Sequence, residues 1–392
     1  MLQMNIDHSS RPLLTGFAGA IAMAAAMGFG RFFYTPILPG MMGGIPLSAA
    51  DAGFIAAGNF AGYLAGAILS AYGWAAGRER QVALGGLLAT AILLAAMAAT
   101  TSVFAFTVIR FLAGLASALA MIFTSSIVLP HAVGRDNVNV LHFGGVGAGI
   151  ALSSALVLGV NAVAGDGAHG WQANWLAGAA IVIVISAAVG WLLPRPIFGG
   201  GSAIEPPLRW RLPLVLLTAS YGLFGFGYVI TATFLVTIAR MGDAGPIVEF
   251  LAWFLTGTAA AVSLVLWRPV VRGFGLTTAY AAALGLQAVG VLGSVLLPPT
   301  AGALVGGLLL GATFMVVTAY GLQIARALSP DSPRRALAFM TAAFGTGQII
   351  GPLVAGWVAE RSGSFTLPTI LAAAVLVVCV LLALPVAPQR SQ

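Results

Sequence analysis

Apolar runs of bilayer length, following one another with only short polar breaks, leave this chain few ways to fold. A run of ~20 apolar residues crosses ~30 Å of hydrocarbon as a helix. The predicted spans are 13–39, 51–76, 82–100, 103–129, 140–164, a sixth ending at Pro194, then 212–239, 247–267, 276–297, 301–328, 335–359 and 365–386. Of 392 residues 60% are hydrophobic and 7% charged, which excludes a soluble domain and leaves a polytopic membrane protein. The first run is too long for the core of a cleavable signal, so it reads as a retained span.

The basic residues are all arginine, and all but Arg31 and Arg110 sit in the breaks. Arg11, Arg78, Arg80, Arg135, Arg195, Arg209, Arg211, Arg268, Arg272, Arg326, Arg334, Arg335 and Arg390 fall on one side of the membrane, Arg240 and Arg361 on the other. That asymmetry predicts cytoplasmic termini and an even number of spans, and it accounts for the positive charge without a nucleic-acid partner. The longest polar stretch, 195–211, reads as a cytoplasmic linker between an N-terminal bundle (1–194) and a C-terminal bundle (212–392).

The halves repeat. Gly28-Phe29-Gly30 matches Gly225-Phe226-Gly227 at an offset of 197, which also carries Gly114 onto Gly311; Gly145, Gly147 and Ile150 match Gly345, Gly347 and Ile350 at an offset of 200. The predicted fold is all-α, with twelve transmembrane helices in two pseudo-symmetric six-helix bundles and substrate bound between them.

Within this frame the stretch GFGRFFYTPILPGMM, residues 28–42, stands out. Arg31 lies inside an apolar run, where a cation costs at least ~2.5–3.5 kcal/mol on insertion scales and marks a functional site. Tyr34 and Thr35 follow at i+3 and i+4, on the same helical side. Pro36 and Pro39 predict a bend at that end. Arg110 lies in the fourth run; counted from Pro39 and Val103, both arginines sit roughly 10–12 Å below one membrane face. Every acidic residue falls in a loop or at a helix end, though Asp51 or Glu249 could reach inward. A bound organic anion would supply the missing countercharge. The opposed reading is that each arginine snorkels or caps backbone carbonyls. Tyr228 and Gln348 are further binding candidates; at the offset of 197, Tyr228 is the partner of Arg31. Thr124, Tyr221, Trp253, Tyr320 and Gln323 are polar or aromatic candidates more readily explained by packing. His142, at the start of the fifth run, reads as a loop-edge residue.

Gly58, Gly62 and Gly66 form a GxxxGxxxG face, and Gly347 and Gly351, with Pro352, a second small-residue face; these suit close helix packing or gating, as does Gly114. No phosphate-binding loop, HExxH, CxxC pair or nucleophile elbow occurs, so neither an enzyme nor a cofactor is expected.

Residues 28–42, the RFLAG of the fourth run and MTAAFGTGQIIGPLVAGW, residues 340–357, resemble the YbfB/YjiJ-like branch of the major facilitator superfamily. The resemblance implies a bacterial inner-membrane secondary transporter with a rocker-switch cycle, a small-molecule substrate, a coupling ion (proton or sodium) and a monomeric state. The superfamily's loop motif survives here as Arg78 and Arg80, without its aspartate. The expected function is transport of a small, anionic organic solute. The alternatives are efflux of hydrophobic compounds, which would favour a buried acid, and a transport-inactive sensor.

Overall fold

The structure is a computed structural model and describes residues 12–165, 169–196 and 205–386. Asp7, Arg11, Asp166, Arg390 and part of the linker lie outside the described residues. Among the described residues twelve helices are long and apolar enough to cross a membrane. They are α1 (Pro12–Gly44), α2 (Ala49–Ser70), α3 (Glu79–Met97), α4 (Val103–Ala132), α5 (Asp136–Ala164) and α6 (Gly170–Leu192), then α7 (Leu212–Met241), α8 (Pro246–Phe274), α9 (Leu276–Leu296), α10 (Pro299–Leu328), α11 (Pro333–Ser362) and α12 (Thr366–Val386). No strand occurs among the described residues. The up-and-down order puts Arg78, Arg80, Arg135, Arg195, Arg209, Arg211, Arg268, Arg272, Arg326, Arg334 and Arg335 on one face, here the Arg-rich face, and Arg240 and Arg361 on the other.

Several ends move from their predicted places. Helix α2 stops at Ser70, and Gly73 and Gly77 take left-handed turns before α3. Helix α5 starts at Asp136, whose carboxylate suits a first turn, so His142 lies well inside the span. His142 is therefore not a loop-edge residue: it is fully buried, with Nε2 2.9 Å from Ser125 Oγ of α4.

Helix α1 departs most from a regular rod. Its helix runs from Pro12 to Met23, becomes π-helical over Ala24–Phe29, turns through Gly30–Phe33 and resumes at Tyr34. The irregularity thus precedes the prolines. Pro36 falls in the first turn of the resumed helix, where its missing N–H would have no intrahelical partner in any case.

The internal repeat is present, but its register differs between helices. Asn59 Nδ2 donates to the Arg110 carbonyl at 3.0 Å, and Thr256 Oγ1 to the Gly307 carbonyl at 3.0 Å, so from 59 to 256 and from 110 to 307 the offset is 197. In contrast, a Cβ on Gly145 would lie 2.1 Å from the Ala20 oxygen and one on Gly347 2.1 Å from the Gly222 oxygen. From 20 to 222 and from 145 to 347 the offset is 202. The predicted offsets of 197 for α1 with α7 and 200 for α5 with α11 are corrected accordingly. At this register Ala24 pairs with Phe226; the π-helical segment that follows in α1 has no counterpart in the regular α7, so the offset does not carry on to Arg31. The N-terminal half has five residues more between its α1 and α2 contacts (20 to 59, against 222 to 256) and five fewer between its α4 and α5 contacts (110 to 145, against 307 to 347), so the glycine triplets matched out of step.

The bundles meet through α2 with α11, α5 with α8 and α1 with α7. Toward the Arg-poor face, Ser48 Oγ and the Ala50 N–H donate to Glu360 Oε2 at 2.9 and 3.1 Å. Thr35 Oγ1 donates to the Ala232 carbonyl at 2.6 Å, and Ser154 Oγ to that of Phe250 at 2.9 Å. At the Arg-rich ends of α5 and α8 an exposed, longer ion pair joins Asp136 and Arg268 at 3.6 Å.

Candidate functional site

The break in α1 turns Arg31 toward α2 and α11. Its guanidinium carbon lies 4.0 Å from the centre of the Tyr63 ring, 5.0 Å from Phe60 and 5.5 Å from Phe32. A cation over aromatic faces is attracted by their quadrupoles, more strongly where water is excluded. Arg31 Nη2 donates to Gln348 Oε1 of α11 at 2.6 Å, while Nε has no hydrogen-bond partner. Gln348 Nε2 in turn donates to the Tyr228 hydroxyl of α7. Three of the expected site residues therefore form one hydrogen-bonded chain across the two bundles. No ion pair among the described residues includes Arg31 or Arg110.

The two acids within reach are engaged elsewhere. Asp51 forms a capping box with Ser48 at the start of α2. Glu249 accepts three hydrogen bonds from Arg240, at 2.9, 3.0 and 2.6 Å.

Arg110 has another occupation. Its Nη1 donates to the Gly30 carbonyl at 3.1 Å and its Nη2 to the Arg31 carbonyl at 2.7 Å. The Thr35 N–H goes to Phe32 O at 3.3 Å rather than to Arg31 O, so the turn frees an acceptor that Arg110 fills. Its guanidinium carbon also lies 5.3 Å from the Tyr34 ring, whose hydroxyl donates to the Ala52 carbonyl at 3.1 Å. Thr35, as described, bridges to α7.

Two small spaces flank this centre, each about 10 Å³, room for about one water. The first is bordered by Arg31, Tyr34, Thr35, Arg110 and Thr233. The second is bordered by Tyr228, Trp253, Thr256 and Phe314. Phe32 and Ala232 line both.

The glycine faces lie within bundles. Gly58, Gly62 and Gly66 abut α4, Gly114 abuts α2, and Gly347 and Gly351 abut α7. Pro352 lies between the bundles, its carbonyl against Gly53 of α2. Arg80 donates to the carbonyls of Leu193, at 3.0 Å, and Gly190, tying the start of α3 to the end of α6; Arg78 is exposed beside it. Tyr221 donates to the Thr318 carbonyl at 3.2 Å. Thr124 and Tyr320 are buried and Gln323 is exposed.

Residues 23–384 match the family model described as "Uncharacterised MFS-type transporter YbfB". The chain belongs to this family of major facilitator transporters. No protein of curated function matches the sequence significantly. The fold of this YbfB-family transporter is shared with solved structures of low identity. A mutant of the nucleoside transporter NupG superposes with a TM-score of 0.71 at 14% identity, covering 95% of this chain and all, 100%, of that one. The POT family transporter PepTSo gives 0.71 at 13% identity, covering 96% and 98%. An inward-facing, unoccupied bacterial homologue of the human lysosomal transporter Spinster gives 0.69 at 13%, covering 96% of each chain.

Sequence reasoning missed Phe60, Tyr63 and Phe314. An aromatic residue in an apolar helix carries no mark of which way it faces. Tyr63 could have been found from its place one turn after Asn59, a polar residue in the same run.

Proposed function

We propose that this YbfB-family protein is a secondary active transporter of a small organic anion, working by rocker-switch alternating access. The observation that carries the reading is Arg31. A buried cation at the junction of both bundles has an amide and three aromatic rings for partners and no carboxylate among the described residues. A carboxylate on the substrate would replace the Gln348 oxygen with a charged acceptor, and an arginine–carboxylate pair is both stronger and planar in its geometry. Arg110 then acts at one remove, holding the broken segment of α1 so that Arg31 faces inward.

In this reading the bundles are 1–194 and 212–392, and the Arg-rich face is the cytoplasmic side of a bacterial inner membrane. The transporting unit in this reading is the monomer. A proton or sodium gradient supplies the energy. One fold neighbour is a nucleoside transporter by its name, which supports a small polar solute as the substrate class without choosing one.

The test is uptake into proteoliposomes of a panel of radiolabelled monocarboxylates and matched neutral amides. The expected result is uptake confined to acids, with Arg31→Lys inserted normally but at least about tenfold weaker in apparent affinity. Equal uptake of acids and amides, unchanged by Arg31→Gln, would overturn the anion reading.

A further inference from the structure

Behind the cationic space lies a cluster of rings of which the reading above uses only Phe32. The Tyr228 ring is parallel to that of Phe314, with centroids 6.0 Å apart and an interplanar angle of 0°. Phe32 meets Phe314 edge-on at 6.1 Å and 67°, and Trp253 at 6.3 Å and 61°. These rings come from α1, α7, α8 and α10, so both bundles contribute. Trp253 is 1% exposed, and its Nε1–H has no hydrogen-bond partner among the described residues. A buried indole N–H ordinarily finds an acceptor. Trp253 lines the small internal space, so an acceptor on a ligand held there would complete its hydrogen bonding.

The cationic and aromatic spaces share Phe32 as a wall. Phe32 sits in the turn between the π-helical and resumed segments of α1, where the regular backbone ladder is interrupted. Such interruptions inside helices occur often at functional positions. Displacing this one side chain would merge the two spaces into one site, with a guanidinium at one end and aromatic faces and edges at the other.

We infer that the transported anion carries a planar ring: its carboxylate pairs with Arg31, the ring lies among Phe32, Tyr228, Trp253 and Phe314, and a polar substituent accepts from Trp253 Nε1. The inference rests on the anion reading of Arg31 and adds the body of the substrate to its charge. A saturated ring of similar size would fill the same volume but forfeit the offset-stacked and edge-on contacts by which the positive edge of one aromatic ring meets the negative face of another.

The experiment is calorimetric binding to the full-length protein in lipid nanodiscs, with benzoate, 4-hydroxybenzoate, cyclohexanecarboxylate and benzamide as probes. Benzoate is expected to bind about tenfold more tightly than cyclohexanecarboxylate. Phe314→Leu should erase that difference while still binding cyclohexanecarboxylate, which also shows that the variant is folded. Trp253→Phe should remove any advantage of 4-hydroxybenzoate over benzoate. Cyclohexanecarboxylate binding as well as benzoate, and through Arg31, would overturn the ring and leave the anion reading intact. Benzamide binding as well as benzoate, with Arg31→Gln indifferent, would overturn the anion reading and this inference with it. Absence of binding by all four probes at millimolar concentration would overturn the ring assignment.

Discussion

Arg31 Nη2 and Gln348 Oε1 meet at 2.6 Å, and the two residues belong to different bundles. Any motion that parts α1 from α11 here must break this bond. In the closed arrangement Gln348 occupies an acceptor position that water or a substrate carboxylate could take once the site opens. A hydrogen bond to a charged group contributes about 1.5–3 kcal/mol, roughly a 10- to 100-fold bias between two states. Gln348→Leu should therefore favour opening toward the Arg-poor face. Thr35→Cys, in a Cys379→Ser background, reports that opening by its rate of thiol labelling. We expect labelling at least about tenfold faster with Gln348→Leu; an unchanged rate would show that the bond does not hold the bundles together.

Arg110 should behave differently from Arg31. Removing its side chain leaves the carbonyls of Gly30 and Arg31 unpaired in a buried turn, at about 1–3 kcal/mol each. Arg110→Ala should lower the unfolding temperature of the purified protein, and Arg110→Lys should recover only part of the loss because an ammonium lacks the forked geometry. Arg31→Gln should leave that temperature nearly unchanged. A normal melt for Arg110→Ala combined with lost anion binding would instead make Arg110 a direct ligand.

These contrasts mark what the sequence could and could not convey. That Arg31, Tyr228 and Gln348 belong together was legible because polar groups in apolar runs tend to turn inward, where they find one another. The helices were legible because each apolar run is as long as the bilayer is thick. The π-helical break was not, since Gly28 and Gly30 fit a regular helix as readily as a broken one. Nor was the register of the repeat: the glycine triplet set α1 against α7 at an offset of 197, whereas the α1–α5 and α7–α11 contacts set the first part of α1 at 202. Side-chain direction at Phe60, Tyr63 and Phe314 depends on helix rotation, which a uniformly apolar sequence leaves open.

The crossing of α2 and α4 gives a prediction about folding. A Cβ on Gly62 would lie 1.8 Å from the Phe111 carbonyl oxygen, a backbone atom that moves only if the helices separate. Even Gly62→Ala should cost about 1–3 kcal/mol through overpacking. Gly85 in α3 has no neighbour within 4 Å of its Cβ position, so Gly85→Ala should be neutral or stabilising by up to about 1 kcal/mol. Yields of folded protein by size-exclusion chromatography check the pair. Equal yields would show that the α2–α4 contact relaxes without penalty.

Orientation can be read with a membrane-impermeant thiol reagent on right-side-out vesicles, again in a Cys379→Ser background. Ala76→Cys sits on the Arg-rich face and Ser362→Cys on the Arg-poor face, both exposed. Only Ser362→Cys should react. Labelling of Ala76→Cys alone would invert the topology, against the arginine distribution.

The linker supplies a prediction about pH. Glu205 accepts hydrogen bonds from Arg334 Nε at 2.8 Å and from the backbone N–H groups of Arg334 and Arg335, each at 3.1 Å. It thereby caps α11 with a negative charge at the positive end of the helix dipole. Desolvation pushes its carboxyl upward, but the hydrogen bonds from Arg334 and Arg335 outweigh it and hold the group below its ordinary value of 4.5. A depressed carboxylate binds its proton less readily in the folded state than in the unfolded one. Its contribution to stability is therefore fully present above about pH 4.5 and is lost as pH falls through the lower, folded value. Glu205→Gln should melt at a lower temperature than wild type at pH 7, and the gap should close on acidification below pH 4.5. Melting curves of both proteins between pH 7 and pH 3 make the comparison. A gap that stays constant to the lowest pH would mean that Glu205 acts through packing or neutral hydrogen bonds rather than through its charge.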